Sequence, residues 1–395
     1  MKTLILLVFS VLILLGGEAV KLEDKYKKST NCISCHGHIV KEWMNSWHAA
    51  SHYNKDEYFR KTLDYLGRKE RRSINAIKIE CATCHNPRIS VTSTGVDYEI
   101  MAVMGLDKDS AVTKALADDA IAEGINCVVC HNIDQVDDSL PESKRGIHRV
   151  TWMKAGIMSG PYNDAKSPYH KVKQRDFMDT NPNKLCFVCH ANDKTMSGHL
   201  FINMKQEYKK SSKKCVDCHM SPRHDGYAST LPIDKGKPKK RIVRRHGFEG
   251  AHMKSMLEGS LDLNLVIKDG TLDIHIINEN PHNIPSGFGG RELIIEAAFS
   301  DVAVGVTVEK RSLTQHYRSK REKITIPHLS VKASNDNSIP AMGERVISFK
   351  IPQGANAVNV KIYYRLVNDK IRKLLDLKEP RWSEKTLINQ RSKRL

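Results

Sequence analysis

The sequence predicts two regions in series, a mainly α-helical and irregular domain over residues 20–257 and an all-β antiparallel sandwich over residues 258–368. Two observations carry this prediction. One short cysteine motif recurs five times before residue 220, and hydrophobic residues alternate along short, turn-bounded segments after about residue 258. The chain of 395 residues is long enough for two or three domains, and its 27% of charged residues excludes a multi-span membrane carrier.

The first 19 residues have the pattern of a signal peptide. Met1 and Lys2 form a short basic start, residues 3–15 are almost wholly apolar, and Gly17 and Ala19 are small residues at a cleavage position. An uncleaved anchor is the alternative, although the apolar run is short for a full membrane span. We therefore expect a periplasmic or otherwise exported protein after cleavage.

All ten cysteines lie in C-x-x-C-H motifs, which argues against the five disulfides that an exported chain would otherwise suggest. The cysteine pairs are Cys32 and Cys35, Cys81 and Cys84, Cys127 and Cys130, Cys186 and Cys189, and Cys215 and Cys218. The histidines that follow them are His36, His85, His131, His190 and His219. This spacing is the attachment pattern of c-type haem, and it predicts five covalently bound haems.

The spacing suits the chemistry of haem attachment. Two thiols three positions apart reach the two vinyl groups of one porphyrin as thioethers, and the next residue then supplies an imidazole as the proximal iron ligand. A redox C-x-x-C motif or a zinc site has no need of a histidine at that position. The sequence therefore predicts five proximal histidines as well as ten thioether cysteines.

The formal net charge of +18 does not indicate nucleic-acid binding in such a protein. Five haems bring about ten propionate charges, which offset part of the basic excess. The basic clusters at residues 237–245 and 391–394 are either solvated surface or a guide for an acidic redox partner. The expected partners are redox proteins, and peripheral association with a membrane respiratory chain is left open.

The five motifs occupy residues 32 to 219, about 38 residues for each, too few to build five separate cores. The porphyrins themselves are therefore expected to form the shared core, carried by short helices and long loops. One helix can be read directly, over residues 111–123, with Asp109 or Ser110 as N-cap and Gly124 after its end.

The second region begins with a hairpin pattern. Hydrophobic residues alternate on both sides of Asp269-Gly270, a dipeptide that favours a two-residue turn. Further strands are predicted at residues 293–299, 302–308, 323–331, 346–351 and 358–367. Residues 369–395 are predicted to form a basic helical tail.

Several segments around the motifs are distinctive. The first motif is followed by Glu42-Trp43 and by Ser46-Trp47-His48, and the third motif follows Gly124-Ile-Asn. Further segments are Gly160-Pro-Tyr-Asn-Asp before Ser167-Pro-Tyr-His170, and Arg245-His246-Gly-Phe. Together they resemble the cytochrome c-554 family of multihaem cytochromes over most of residues 30–255. The chain departs from the tetrahaem pattern of the best-known member by its fifth motif and its added β domain.

The resemblance implies a stacked haem array in which histidines from distant segments are the sixth iron ligands. Carried over by motif, these are His48, His170 and His246. His199 is a further candidate from its position between the last two motifs, followed by His148, with His52 and His252 in reserve. The segment from Pro281 to Gly287 is interpreted as a turn that packs on the haem domain rather than as a source of a ligand.

Two functions remain open at this point. If every iron has two histidines, the protein is an electron carrier that passes single electrons along the array in a respiratory chain, which is the function we expect. If one iron keeps an open position, the protein is an oxidoreductase acting on a small nitrogen or sulfur compound at that haem.

The haem load gives a first prediction. Five thioether-linked haems should add about 3 kDa to the polypeptide left after signal-peptide removal, because every motif is complete. Intact mass under denaturing conditions measures this directly, and a shift equal to four haems or fewer would contradict the prediction.

Overall fold

The protein is described here by a computed structural model. It covers residues 26–141, 143–208, 213–232, 237–287, 289–301, 303, 305–334 and 337–395. The predicted signal peptide lies outside these ranges. Within them, no helix is both long enough and apolar enough to cross a membrane.

Short helices joined by long loops form the region before residue 258. They are α1 (Ile33–Met44), α2 (Glu57–Glu70), α3 (Ile74–His85), α4 (Val96–Val103), α5 (Ala111–Leu116), α6 (Cys127–His131), α7 (Phe177–Thr180), α8 (Asn183–His190), α9 (Met204–Glu207), α10 (Cys215–His219) and α11 (Lys254–Leu257).

Every C-x-x-C-H motif is helical. The motif histidine is the last helical residue in α3, α6, α8 and α10, whereas α1 continues past His36 with a kink at that residue. Helical geometry places residues i, i+3 and i+4 on one face, so both cysteines and the histidine of each motif project to the same side. The local fold thus presents two sulfurs and one imidazole together.

Four two-stranded ribbons hold the loops between the motifs. They are β1 (Ile133–Val136) with β2 (Val150–Trp152), β3 (Ile157–Gly160) with β4 (Lys171–Gln174), β5 (Asn192–Lys194) with β6 (Leu200–Asn203), and β7 (His224–Tyr227) with β8 (Lys240–Val243). The β3–β4 pair is parallel and the others are antiparallel. In three of them the first strand follows closely on a motif, the third, the fourth or the fifth, and pairs with the next strand in the sequence.

The predicted helix over residues 111–123 is interrupted. Ser110 caps α5 through a bond from the Thr113 amide, as expected, but α5 ends at Leu116 and a 3-10 helix covers Asp119–Glu123. Asp118 accepts a hydrogen bond from the Ala120 amide, and this new cap starts the second turn. The competing N-cap, not the hydrophobic pattern, decides where the helix breaks.

Antiparallel strands dominate after residue 258, so the predicted change of architecture is confirmed. They are β9 (Asp262–Lys268), β10 (Thr271–Asn278), β11 (Glu292–Asp301), β12 (Gly305–Thr314), β13 (Tyr317–Arg318), β14 (Lys332–Ala333), β15 (Gly343–Lys350), β16 (Ala357–Arg365) and β17 (Thr386–Arg394). One sheet has the order β15-β10-β9 and another the order β12-β11-β16-β17. One hydrophobic cluster contains side chains from both sheets, including Ile274, Ile276, Leu293 and Ile362.

The hairpin turn between β9 and β10 follows the sequence closely. Asp269 and Gly270 both have positive φ, at 49° and 69°, as a type I′ turn requires. Leu263, Leu265 and Leu272 alternate into the core on either side of this turn. The dipeptide and the alternation together determine this register.

One strand prediction is wrong, one is shifted, and the prediction of a helical tail is wrong over most of its length. Residues 323–331 form a loop with a short 3-10 turn at Pro327–Leu329. The neighbouring residues Ile326 and Pro327 are both buried, so buried and exposed side chains do not alternate along this segment as they would in a strand. The strand expected at residues 302–308 lies at Gly305–Thr314. The C-terminal segment is helical only at α12 (Asp369–Leu375) and then forms β17, the fourth strand of a sheet.

The C-terminal segment also joins the two regions. Ile371, Leu375 and Trp382 share a hydrophobic cluster with Leu63 and Leu66 of α2. In the same place the buried Glu57 carboxylate accepts hydrogen bonds from the amides of Lys378 and Glu379 and from Trp382 Nε1, at 2.9, 3.0 and 2.7 Å. The residues after 368 therefore belong to the β sheet through β17 and also pack on α2, so they are not a separate tail.

We predict that Glu57→Gln destabilises this junction. The amide keeps the size of the carboxylate, but its NH₂ group would face an N–H donor, so a buried hydrogen bond is lost. We expect a loss of about 1–3 kcal/mol in the free energy of unfolding, measured by denaturant titration with circular dichroism. Glu258→Gln is the matched control, because Glu258 has only an exposed pair with Lys254, and it should change stability by less than about 0.5 kcal/mol. Equal effects of the two variants would contradict the role of Glu57.

Candidate functional site

A single continuous cavity of about 1920 Å³ runs through the region of short helices. All ten motif cysteines and all five motif histidines line it. Drug-sized ligand pockets are about 300–1,000 Å³, so this space is too large for one such ligand. Its lining is mostly apolar, as expected of a space that receives large flat apolar groups.

Four of the five motif histidines face a second histidine ring from a distant segment. The pairs and the distances between their ring centroids are His36 and His170 at 6.4 Å, His131 and His246 at 6.2 Å, His190 and His48 at 6.1 Å, and His219 and His282 at 6.3 Å. The angles between the ring planes lie between 24° and 32°.

This separation matches the space required by a metal ion between two imidazoles. A metal–nitrogen bond to imidazole is about 2 Å long, and the centre of the ring lies about 1.1 Å behind the nitrogen. Two imidazoles on opposite sides of one ion thus have centroids about 6.2 Å apart. The four pairs at 6.1–6.4 Å are too far apart for stacking and fit this arrangement.

Backbone carbonyls orient three of the four motif histidines in these pairs. Nδ1 donates to the Ala228 carbonyl in His36, to that of Ser159 in His131 and to that of Glu249 in His219, at 2.5, 2.7 and 2.6 Å. A carbonyl oxygen only accepts, so the proton is on Nδ1 and the lone pair is on Nε2. This is the usual way in which a protein prepares a histidine to ligate a metal through Nε2.

The opposite rings of two pairs are held in the same manner. Nδ1 of His246 donates to the Arg244 carbonyl at 3.0 Å, and Nδ1 of His282 donates to that of Asn283 at 2.9 Å. Burial, followed by the charge of nearby His131, lowers the pKa of His246 to about 4. Burial, followed by the charge of His190, lowers the pKa of His48 to about 3. Both rings are therefore neutral at pH 7, the form that binds a metal.

The backbone around His48 is tightly fitted. Gly124 has a φ of +61°, and a side chain there would place Cβ 2.5 Å from the His48 carbonyl oxygen. That oxygen accepts a hydrogen bond from the Ile125 amide at 3.0 Å. The segment that leads into the third motif thus fixes the histidine that faces the fourth motif, and only glycine fits at residue 124.

The second motif is different. The ring of His85 stacks on Phe59 with centroids 4.1 Å apart, and its Nδ1 lies 2.9 Å from Ser51 Oγ. Within the described ranges no histidine ring stands opposite His85 at the separation seen in the other four pairs. The structure therefore distinguishes one motif from the rest.

The structure places three of the five predicted distal ligands opposite a motif histidine and the other two elsewhere. His48, His170 and His246 each face a motif histidine, whereas His199 and His148 do not line the cavity. The His199 ring meets Tyr317 edge-on at 6.3 Å, and His148 lies on a 3-10 turn beside Lys144 and Arg145. Of the reserve residues, His252 stacks on Trp47, and the Asn54 amide donates to Nδ1 of His52.

His282, which was not among the predicted distal ligands, stands opposite the histidine of the fifth motif. It lies in the segment from Pro281 to Gly287, which the sequence marked only as a packing turn. The proline-rich loop was the available signal, but its position against α10 is a tertiary contact that local patterns do not contain.

The effects of the motif thiols on one another's pKa indicate which motifs are neighbours. Cys127 raises the pKa of Cys32, and Cys32 lowers that of Cys127, so the first motif lies beside the third. The same reciprocal shifts link Cys84 with Cys189 and Cys186 with Cys215, so the fourth motif lies beside the second and the fifth. Cys130 is close enough to Cys186 for their charges to interact, which places the third motif next to the fourth. The fourth motif therefore lies at a branch point.

These residues fit five c-type haems. The ten cysteines form no disulfide among the described residues, and no group of three or more His, Cys, Asp or Glu side chains there is arranged to hold a bare metal ion. Paired thiols and facing imidazoles around one long apolar cavity are the donor set that haem attachment requires.

No protein-family model matches the chain, and no curated protein matches it by sequence. Among solved structures, a penta-heme cytochrome c552 from Thermochromatium tepidum is similar. The identity is 18%, the TM-score is 0.67, and the match covers 92% of this chain and 97% of that one. The chain thus has the fold of that protein over nearly its whole length.

Proposed function

We propose that this chain is an exported pentahaem c-type cytochrome that carries single electrons in a respiratory chain. The observation that carries the proposal is the set of four histidine pairs at 6.1–6.4 Å in a cavity lined by all ten motif cysteines. The similarity in fold to a penta-heme cytochrome supports the same number of haems. Export rests on the predicted signal peptide of the sequence.

The residues have distinct roles in this proposal. The ten motif cysteines form thioethers, and the motif histidines are the proximal ligands. His170, His246, His48 and His282 are the sixth ligands at the first, third, fourth and fifth motifs, in that order. A haem iron held in this way supplies a one-electron couple.

The protein groups favour electron transfer over chemistry at these four positions. At each of these pairs both histidines would ligate the iron, which would leave no position on it for a substrate. Carbonyl acceptors such as those of Ala228 and Ser159 hold the rings in place, which keeps the change of geometry between oxidation states small. The order of neighbouring motifs gives electrons a route from the first motif through the third and fourth to the fifth. The second motif is a branch from the fourth.

Redox proteins are the proposed partners, but the basic cluster at residues 237–245 offers less free charge than its sequence suggests. Arg241 pairs with Asp164, Arg244 with Asp217, and Arg245 with Glu249. At the C-terminal cluster, Lys393 donates to the Leu265 carbonyl at 2.7 Å. Internal pairing thus uses much of this charge, and screening by salt weakens the rest.

A second candidate function rests on the second motif. His85 has no opposite histidine in the described ranges, so its haem could keep an open position for a small nitrogen or sulfur compound. The chain would then be an oxidoreductase that uses the other four haems to supply electrons.

Reoxidation of the reduced protein separates the two functions. A carrier should take up five electrons per chain in an anaerobic reductive titration, one for each motif. It should then stay reduced when mixed with nitrite, hydroxylamine or sulfite and lose its electrons only to an outer-sphere acceptor. Catalytic reoxidation by any of the three compounds would establish the oxidoreductase instead.

The assignment of His282 gives a further prediction. In His282→Ala the fifth-motif haem loses its second imidazole, so the oxidised protein should gain one high-spin haem, measured by absorption and EPR. His199→Ala is the control, because that ring packs on Tyr317 and should leave the count of high-spin haems unchanged. The assignment fails if His282→Ala keeps the wild-type spectrum or if His199→Ala gains a high-spin haem.

A further inference from the structure

Arg291 is a cation in the wall of the cavity that the motif residues line. Three other arginines in this wall are ion-paired, namely Arg145 with Asp193, Arg241 with Asp164 and Arg244 with Asp217. Within the described ranges no carboxylate pairs with Arg291, whose Nη1 donates to Tyr364 Oη at 3.2 Å. An uncompensated guanidinium in a mostly apolar space is costly, so Arg291 calls for an anion.

The acidic side chains nearest to Arg291 in the sequence are used elsewhere. Glu292 accepts a hydrogen bond from Arg365 Nε at 2.8 Å, and both of these side chains are buried. Arg365 also pairs with Asp369 at 3.0 Å. Arg365 therefore takes both carboxylates, and the charge of Arg291 remains available.

The backbone fixes Arg291 at the start of β11. The Gly290 carbonyl accepts a hydrogen bond from the Asn368 amide at 2.6 Å, and Leu293 is the cross-strand partner of Tyr364 on β16. Side chains alternate along a strand, so Arg291 lies on the same face as Leu293, which is fully buried in the cluster shared by both sheets. The guanidinium thus stands where this apolar core meets the cavity.

The charge of Arg291 acts on histidines of two motifs. Burial, followed by the charges of His219 and Arg291, lowers the pKa of His190. Burial is also the main cause of the lowered pKa of His282, to which the charges of His219 and Arg291 contribute. Screening limits such effects to about 10 Å, so Arg291 lies near both the fourth and the fifth motif.

We propose that Arg291 binds the carboxylate of a haem propionate at the fourth or the fifth motif. This inference rests on the haem loading of the proposed function and adds a residue to it. Five haems bring about ten propionate charges, and a guanidinium binds a carboxylate through two parallel hydrogen bonds. The pair cancels a negative charge near the iron, which favours the reduced state of that haem.

Arg291→Gln tests the inference on the whole haem-loaded protein. The change leaves one propionate charge uncompensated, so the reduction potential of one haem should fall. We expect the ratio of reduced to oxidised haem at a fixed potential to fall about tenfold, equivalent to about 59 mV, in a redox titration followed by absorption. The propionate bending band in the resonance Raman spectrum should shift as well, because its frequency depends on hydrogen bonds to the carboxylate.

Two further variants complete the experiment. Arg394→Gln removes the same charge from an exposed position on β17, and it should leave the potentials and the Raman band as in the wild type. Arg291→Lys keeps the positive charge without the paired N–H groups, so it should restore most of the potential but only part of the band. If Arg291→Gln does not retain five haems, the Raman band of Arg291→Lys decides, and an unchanged band overturns the inference.

The other outcomes are distinguishable. Unchanged potentials and an unchanged band in Arg291→Gln overturn the inference and leave the proposed function standing. A lower potential with an unchanged band also overturns it, because Arg291 then acts only as a distant charge. If inorganic phosphate shifts the potentials of the wild type but not those of Arg291→Gln, the guanidinium binds an anion from solution and not a propionate. A wild type with fewer than five haems by mass contradicts the proposed function itself.

Discussion

The fixed separation between facing imidazoles is the constraint on which the rest of the fold depends. Each of the four pairs must hold two rings about 6.2 Å apart, although the two histidines come from distant parts of the chain. Short helices carry one ring of each pair, and in two pairs a backbone carbonyl orients the ring from the distant segment. At the third motif, the Ser159 carbonyl on strand β3 holds His131, and strand β4, which pairs with β3, begins directly after His170. The small ribbons therefore connect neighbouring pairs, which explains how few residues can organise so large a cavity.

The β region is part of this arrangement and not a separate appendage. It supplies His282, which faces the fifth motif, and it places His328 beside the second. Its C-terminal segment is tied to helix α2 through Glu57, and α2 also carries Phe59, the ring stacked on His85. A change in the packing of the β sheets would thus alter the surroundings of two motifs, the fifth at the end of the array and the second on its branch.

Local chemistry explains which features could be predicted from the sequence. The C-x-x-C-H spacing and the Asp269-Gly270 turn act within a few residues, so their structure follows from the pattern alone. His48, His170 and His246 were recognised through motif resemblance, whereas the placement of His282 depends on a contact between regions. Strand β17 was hidden because its exposed residues are basic and only Ile388 is deeply buried. The sequence suggested a helix there because a one-sided strand at a sheet edge carries little hydrophobic alternation.

Quantitative EPR of the oxidised wild-type protein, supported by the absorption spectrum, counts its haems in each spin state. We expect four low-spin haems, each with two imidazoles, and one high-spin haem at the second motif, where His85 has Phe59 beside it and no facing histidine in the part of the chain that the structure describes. Five low-spin haems would show that the second iron is closed by a ligand. Two or more high-spin haems would contradict this expectation, because at least one of the four facing pairs would then not supply both of its imidazoles to an iron.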